Sequence, residues 1–557
     1  MSEFSAKKRK KLISQVSEKK FDIIVIGGGI TGSGIALDAA SRGLNVLVLE
    51  KEDFAFGTSS RSTKLVHGGL RYLKNLEFDL VYEVGRERTI VHHNAMHIVI
   101  PSKMLLPIIK GGTLGRFTTS IALTLYDYLA GVKGDERKKM LTRKETIKVE
   151  PLLESDILKS SALYFEYKTD DSRLTIEVMK KAIEYGAIAL NYAQVVDFIY
   201  KDNKIQGVKV KDKINNTEFN VFAYYIINAT GIWIDELRKN DNSLIGKRLH
   251  ITKGIHIVVP HERFPINHSI YFDAGDGRMV FAIPRYDKVY IGTTDTDYKG
   301  DLDNPDITIE DVDYLINAVK HVFKSSNLTY EDIVSVWSGL RPLIHQIGKS
   351  PSELSRRDEI FVSPSGLISI AGGKLTGYRI MAKKVIDLIR KQILKKRGVD
   401  IGKCKTKNIK LSGGEFNFNY APEKLMDYAD SKYDEAKQTG ISIEEFKKLF
   451  YRYGTNIDIV IEFAYKYFNQ TKNKELAWLY AQLMYSIEYE MTYTLTDFFM
   501  RRTNLIYFWP DKIYPILDKS AEFMSNELNW TNEQKQMYIS LMNKELDKIK
   551  NWKNTEN

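Results

Sequence analysis

A run of buried-strand character that breaks into glycines and then into a helix leaves a chain few choices of fold. Residues 21–28 read FDIIVIGG, continuous with Gly27-Gly28-Gly29-Ile30-Thr31-Gly32. A second apolar run, NVLVLE, follows at 45–50. The near-unbroken apolar strand fits a parallel sheet covered on both faces. The G-x-G-x-x-G pattern is weak alone, but here it leaves a strand and opens a helix, the context that gives it meaning. Each glycine then has a task. Gly27 allows the tight turn, Gly29 lets backbone approach a pyrophosphate, and Gly32 lets helix and strand pack closely. The helix N-terminus faces the phosphates. Ala36, Ala39 and Ala40 keep that helix slim. Glu50 closes the second strand, where a carboxylate can hold the adenosine ribose hydroxyls and disfavours a 2′-phosphate.

The dinucleotide could be NAD or FAD, and two later segments favour FAD. Ile227-Asn228-Ala229-Thr230-Gly231 follows a strand-like run, and Ala371-Gly372-Gly373-Lys374-Leu375-Thr376-Gly377 lies between a strand and a helix. Glycine turns that return so far from the fingerprint suit an elongated FAD. A helix start at 374–377 could also stabilise negative charge on a reduced flavin.

The rest of the chain places these motifs. β-branched runs at 222–229, 255–259, 279–283, 289–293 and 367–371 predict strands, and periodicity at 307–325 and 376–396 predicts helices. From about 400 the strand signal fades and charged helical periodicity dominates. Ser442-Ile443-Glu444-Glu445 and Thr531-Asn532-Glu533-Gln534 have the capping-box form of helix starts. The 557 residues exceed one domain, and the single cysteine, Cys404, excludes a disulfide framework and any Cys-rich metal site, which fits a reducing compartment. Net charge is +11. Lys7, Lys8, Arg9, Lys10, Lys11, Lys19 and Lys20 outnumber Glu3 and Glu18, so 1–20 reads first as a solvated basic tail, with anionic membrane or nucleic acid as second readings. No apolar stretch reaches the length of a spanning helix. Residues 97–109 and 117–130 come nearest. Buried core is the first reading for both, and a membrane-surface patch the second. His92, His93 and His97 have metal-like spacing without a completing acid or cysteine, so they read as structural and no metal is expected.

The segment Thr58-Ser59-Ser60-Arg61-Ser62-Thr63-Lys64-Leu65-Val66-His67-Gly68-Gly69-Leu70-Arg71-Tyr72-Leu73 resembles the FAD-dependent, quinone-linked glycerol-3-phosphate dehydrogenases of the D-amino-acid-oxidase-like flavoprotein superfamily. Further similar motifs run in the same order: Lys253-Gly254-Ile255-His256, Ile291-Gly292-Thr293-Thr294-Asp295, Ser338-Gly339-Leu340-Arg341-Pro342-Leu343, Gly372-Gly373-Lys374-Leu375-Thr376 and Asp497-Phe498-Phe499-Met500-Arg501-Arg502-Thr503. The resemblance spans nearly all of 21–505. It departs at Arg356-Arg357, where one arginine before an Asp is usual, and at Gly377, where threonine is usual.

The resemblance implies an α/β fold. A Rossmann-like FAD-binding domain (21–98, 171–235 and 336–399) would carry an inserted antiparallel-sheet substrate domain. That domain would comprise 236–335, with 99–170 as a substrate-side or membrane-facing segment, and a helical domain would follow at 400–557. The implied cofactor contacts are Gly27, Gly29, Gly32, Glu50, Thr58, Ser59, Ser60, Lys64, His67, Gly69, Ala229, Gly231, Gly373, Leu375 and Thr376. The implied substrate contacts are Arg71, Tyr72, Arg341, Arg357 and Lys374, since arginine forks suit a phosphate dianion. Arg341 would also act in catalysis. His67 and His256 are both candidates for the base, and the sequence does not choose between them. The implied activity is oxidation of glycerol 3-phosphate, with noncovalent FAD and electrons passed to a membrane quinone. The implied setting is a cytoplasmic protein bound peripherally to the inner membrane face. Nucleic acid is not expected, and a homodimer remains open. An oxidase of the same fold would pass electrons to oxygen. Such oxidases carry an insert for which the intervals 295–338 and 357–372 leave no room. An RNA- or membrane-binding module built on the basic tail is the reading from another class.

Overall fold

The computed structural model describes residues 3–68, 78–130, 137–323, 326–344 and 358–554. Two sheets organise the first four hundred residues. In one, the strands Ile368–Ala371, Thr217–Asn228, Lys20–Ile26, Val46–Leu49 and Ile188–Leu190 lie side by side and parallel. The fingerprint strand Lys20–Ile26 is central, with Val25 opposite Val48 on one side and Ile227 on the other. Its apolar run is continuous because both faces are covered. The helices Ile30–Ser41 and Tyr378–Arg397 pack together against it. An antiparallel excursion, Ala193–Lys201 with Lys204–Asp212, joins through Thr217–Asn228.

The second sheet is almost wholly antiparallel. Leu249–Pro260 pairs with Lys288–Gly292 and with Ser335–Ile344, and Val99–Ile109 pairs with Leu158–Thr169. The helix Ile309–Val322 covers one face and shares its core. The strands expected at 255–259 and 279–283 fall within observed strands, and those at 222–229, 289–293 and 367–371 match Thr217–Asn228, Lys288–Gly292 and Ile368–Ala371 to within a residue at one end. The helices expected at 307–325 and 376–396 are observed as Ile309–Val322 and Tyr378–Arg397, with 324–325 outside the described residues. Beyond Cys404 the described chain is helical, and helices begin at Ile443 and Asn532, after Ser442 and Thr531 as N-caps.

Two expectations are corrected. Within the segment read as a solvated tail, residues 4–17 are docked on the fold. A turn at Ala6–Lys8 and the helix Arg9–Ser17 bury Phe4, Leu12 and Val16 in the core of the first sheet. Arg9, itself buried, pairs with Asp212 at 2.7 Å and donates to the Asn191 carbonyl. Lys7 pairs with Glu527 at 2.6 Å. Leu12 and Val16 lie one helical turn apart, so a few apolar residues suffice to dock a segment whose Lys10, Lys11, Lys19 and Lys20 remain exposed. The segment 117–130 is not plain core either. In the helix Arg116–Ala130, Leu123 and Tyr126 are buried, whereas Phe117, Ile121 and Tyr128 are 78%, 53% and 81% exposed. The strand Val99–Ile109 is buried, in line with the first reading of 97–109.

Candidate functional site

The first strand ends, the glycine turn begins, and the backbone enters a conformation that side chains resist. Gly27 has φ +109°, and a Cβ there would stand 2.6 Å from the Ala229 carbonyl oxygen. A Cβ on Gly32 would collide with the Gly27 carbonyl, so this glycine serves packing. Gly29 caps the helix Ile30–Ser41, and a Cβ on it would meet only Ser59 Oγ, at 3.1 Å. The Glu50 carboxylate accepts from the amides of Gly28 (2.7 Å) and Glu52 (2.9 Å). Burial pushes this carboxyl up to about 7, although the two amides pull the other way.

This turn forms one end of a cavity of about 1110 Å³. That exceeds the roughly 300–1,000 Å³ of ordinary small-molecule sites and suits an elongated dinucleotide with room for a substrate. Gly27, Gly29, Glu50, Thr58, Ser59, His67, Ala229, Gly231, Gly373, Lys374, Leu375 and Thr376 line it. At its other end the antiparallel sheet delivers His256 from Leu249–Pro260 and Arg341 from the paired strand Ser335–Ile344. The glycine cradle, the Glu50 carboxylate beside it and the volume of the cavity fit FAD.

Not every expected contact is there. Lys64 does not line the cavity. Its ammonium is fully buried, 2.6 Å from Asp171 and 3.0 Å from the Ser60 carbonyl, so it braces the Thr58–Ser60 turn from behind. Ser60 is likewise buried outside the lining. Gly32 sits behind the turn. Gly69, Arg71, Tyr72 and Arg357 lie outside the described residues, as does Arg356.

The reacting end is built in two layers. Arg341 donates to Asp295 Oδ1 (3.0 Å), Thr293 Oγ1 (2.9 Å) and the Thr294 carbonyl (3.3 Å), while its side chain stays 24% exposed toward the cavity. Gly254 is required beneath it, because a Cβ there would run into the guanidinium. His256 stacks on Trp337 with ring centroids 4.6 Å apart, and its Nε2 lies 3.1 Å from Thr63 Oγ1. Burial, then the charges of Arg341 and Lys64, hold its pKa well below the usual 6.5, so the ring is neutral at neutral pH. His67 is stitched by its backbone to Thr376 Oγ1, which accepts from its amide and donates to its carbonyl, both at 3.1 Å.

Sequence reasoning missed a third group. The Gly68 amide donates to Tyr126 Oη (3.1 Å) and Glu166 Oε2 (3.2 Å). Tyr126 in turn donates to Glu166 Oε1 (2.6 Å), and Arg88 donates to both. Glu166 also lines the cavity. These three residues come from three segments far apart in the chain, so no local pattern announces them. The signal that existed was Gly68, where a Cβ would collide with the Tyr126 hydroxyl. His92 bonds to the Val99 carbonyl through Nδ1 and stacks on Tyr167, a structural role.

Comparison with known proteins agrees with this geometry. The family described as FAD dependent oxidoreductase matches residues 22–379, and the C-terminal domain of alpha-glycerophosphate oxidase matches 404–535. The aerobic glycerol-3-phosphate dehydrogenase of Bacillus subtilis is 48% identical over 97% of both chains. That of Staphylococcus epidermidis is 45% identical over 98% of both. A crystal structure of glycerol-3-phosphate dehydrogenase from Bacillus halodurans, complexed with FAD, superposes with a TM-score of 0.84 at 41% identity over 98% of both chains. An L-alpha-glycerophosphate oxidase from Mycoplasma pneumoniae shares the fold, with a TM-score of 0.56 at 17% identity over 72% of this chain and all of its own.

Proposed function

The chain belongs to the FAD-dependent oxidoreductase family, and from that premise we propose that it oxidises sn-glycerol 3-phosphate to dihydroxyacetone phosphate. The observation that carries the proposal is one cavity holding a dinucleotide cradle at one end and a neutral histidine beside a cavity-facing arginine at the other. The relatives named above act on this substrate by name.

The residues divide the work. Arg341 and Lys374, with Arg71, Tyr72 and Arg357 by resemblance, hold the phosphate dianion and orient C2. Arg341 is suited to this because Asp295, Thr293 and the Thr294 carbonyl fix its fork at the cavity wall. His256 is the stronger candidate for the base. A base must be neutral before it acts, and this ring is neutral, stacked and held at Nε2 by Thr63. With Nε2–H donating to Thr63, the other ring nitrogen, Nδ1, carries the lone pair that takes the C2 hydroxyl proton as the C–O bond becomes a carbonyl. The chemistry supplied by bound FAD is acceptance of the C2 hydride, which balances the step. Glu50 and the Gly27–Gly29 backbone hold the dinucleotide, and Gly68, pinned by Glu166 and Tyr126, keeps His67 at the cavity wall.

The electrons go on to a membrane quinone, in glycerol catabolism, with the protein bound peripherally at the inner membrane face. Among the described residues no helix is long and apolar enough to cross a membrane. What supports a peripheral visit is the outward face of Arg116–Ala130, with Phe117, Ile121 and Tyr128 beside exposed Arg116. An oxidase reading rests on the shared fold. One experiment separates these readings: anaerobic addition of glycerol 3-phosphate bleaches the flavin, and a quinone analogue restores its colour much faster than air. A flavin that glycerol 3-phosphate leaves coloured refutes the substrate. Stoichiometric peroxide without stimulation by quinone makes the protein an oxidase.

A further inference from the structure

The motif Asp497–Thr503 lies far from the cavity in sequence and lines none of it, yet it is tied to the cofactor end directly through the Asp53 carboxylate, and less directly through Tyr192, which donates to Asp497 from its hydroxyl and to the Glu52 carbonyl from its amide. Asp53 stands just beyond Glu50 and is fully buried. Its Oδ2 accepts from Arg501 Nε (2.5 Å) and Arg502 Nη1 (2.7 Å), and its Oδ1 from Arg502 Nη2 (2.9 Å) and Asn191 Nδ2 (3.2 Å). Arg501 is itself held by Asp497 at 3.0 Å, and Arg502 donates to the Glu490 carbonyl at 2.8 Å. Residues Asp497–Arg502 form a π-helical turn, closed by the Thr503 amide on the Phe498 carbonyl. Such turns are rare and concentrate at functional sites. Here the turn brings two consecutive arginines onto one carboxylate.

The other side of this loop is the glycine cradle. The Ala55 amide donates to the Gly28 carbonyl at 3.1 Å, and the Phe54 ring fills the space a Gly28 side chain would need. Phe56 and Gly57, next along, line the cavity, and the Arg501 guanidinium lies 5.9 Å from the Phe56 ring. The loop 50–57 is therefore gripped between the fingerprint turn and the helical domain.

We propose that Arg501 and Arg502 are positioning residues for the dinucleotide: through Asp53 they fix the 50–57 loop, so the helical domain sets how tightly FAD is held. This rests on the FAD site described above. Arginine is required because its fork fills both carboxylate oxygens, which lysine cannot do. A loop left to wander by even part of an ångström holds its ligand poorly.

The test uses full-length apoprotein. FAD binding is read from quenching of flavin fluorescence, release from its recovery on dilution, and stability from the thermal midpoint without FAD. Asp53→Asn and Arg502→Met are expected to weaken FAD binding by roughly tenfold or more, chiefly through faster release. Arg502→Lys should fall between, and Arg501→Lys gives a milder change that keeps charge should the others fold poorly. The double variant Asp53→Asn/Arg502→Met is decisive. It leaves no charge of the pair behind, so the apoprotein midpoint should recover toward wild type while FAD affinity stays low. Affinity that recovers along with the midpoint, or folded single variants that release FAD at the wild-type rate, would overturn the proposal. Wild-type apoprotein that takes up no FAD would overturn the site itself, and the positioning with it.

Discussion

Arg341 lines the cavity with its fork fixed by Asp295 and Thr293. Arg341→Ala should therefore cost about 1.5–3 kcal/mol of transition-state or phosphate binding, a fall in kcat/KM of roughly ten- to a hundredfold. FAD content should be unchanged, because Arg341 comes from the antiparallel sheet and not from the parallel sheet that carries the glycine turn and Glu50. Normal turnover would remove Arg341 from the substrate. Glu50 gives a prediction of the opposite kind, in which FAD binding moves. Burial raises its carboxyl to about 7, so it binds a proton below that pH. The ribose hydroxyls need an ionised acceptor, and binding them expels that proton. FAD affinity should climb as pH rises toward about 7 and level off above it. Glu50→Gln should lower the affinity and flatten the pH dependence. A wild-type affinity that does not change between pH 5 and 8 would disprove this assignment.

The helix Arg116–Ala130 shows how one element serves two surroundings. Its inner face carries Tyr126 into the Glu166–Arg88 cluster, and its outer face leaves Phe117, Ile121 and Tyr128 in solvent. If the outer face is the membrane contact, Phe117→Ser/Tyr128→Ser should weaken sedimentation with anionic vesicles by well over tenfold while turnover with a soluble acceptor persists. The estimate follows from about 1.5–3 kcal/mol for each large apolar side chain buried. High salt should weaken it further by screening Arg116. Equal sedimentation of variant and wild type would move the contact elsewhere. Elements of this kind mark the boundary of what the sequence made legible. The glycine fingerprint, Glu50 and the returning turns at Gly231 and Gly373 are local patterns, and their strand and helix contexts are local too. The pairing of His256 with Thr63, or of Gly68 with Glu166 and Tyr126, is made by strands and helices that meet only in the fold. Lys64 differs from its expected role because its partner, Asp171, lies about a hundred residues away, and inside a cofactor-like motif the lysine alone looks like a ligand contact. The docking of the basic N-terminal segment is hidden because its charges outnumber Leu12 and Val16, although two apolar residues one turn apart are enough to dock a short helix.

At the scale of the molecule, the helical domain is joined to the nucleotide domain by charge as much as by apolar packing. Asp53, Asp497, Glu490 and Glu177 face Arg501, Arg502, Arg173 and Lys180, all buried, and the two signs balance one for one. A balanced buried network adds little over an apolar core, but breaking one member leaves an unpaired charge, a loss of about 3–5 kcal/mol. Neither domain can then separate without exposing the other's charges, so the holoenzyme should unfold in one cooperative calorimetric transition rather than two. The pH dependence follows from the same residues. Burial alone would raise the Asp53 carboxyl, but Arg502 and Arg501 outweigh it and hold the group near 2, below its ordinary 3.8. A depressed carboxyl stabilises the fold above its unfolded pKa and loses that contribution as pH falls through the folded one. Stability should therefore decline between about pH 4 and pH 2 more steeply in wild type than in Asp53→Asn, which starts lower and has no such proton to take up. Two resolved transitions at neutral pH, with Asp53→Asn shifting only one of them, would show that the network joins loops and not domains.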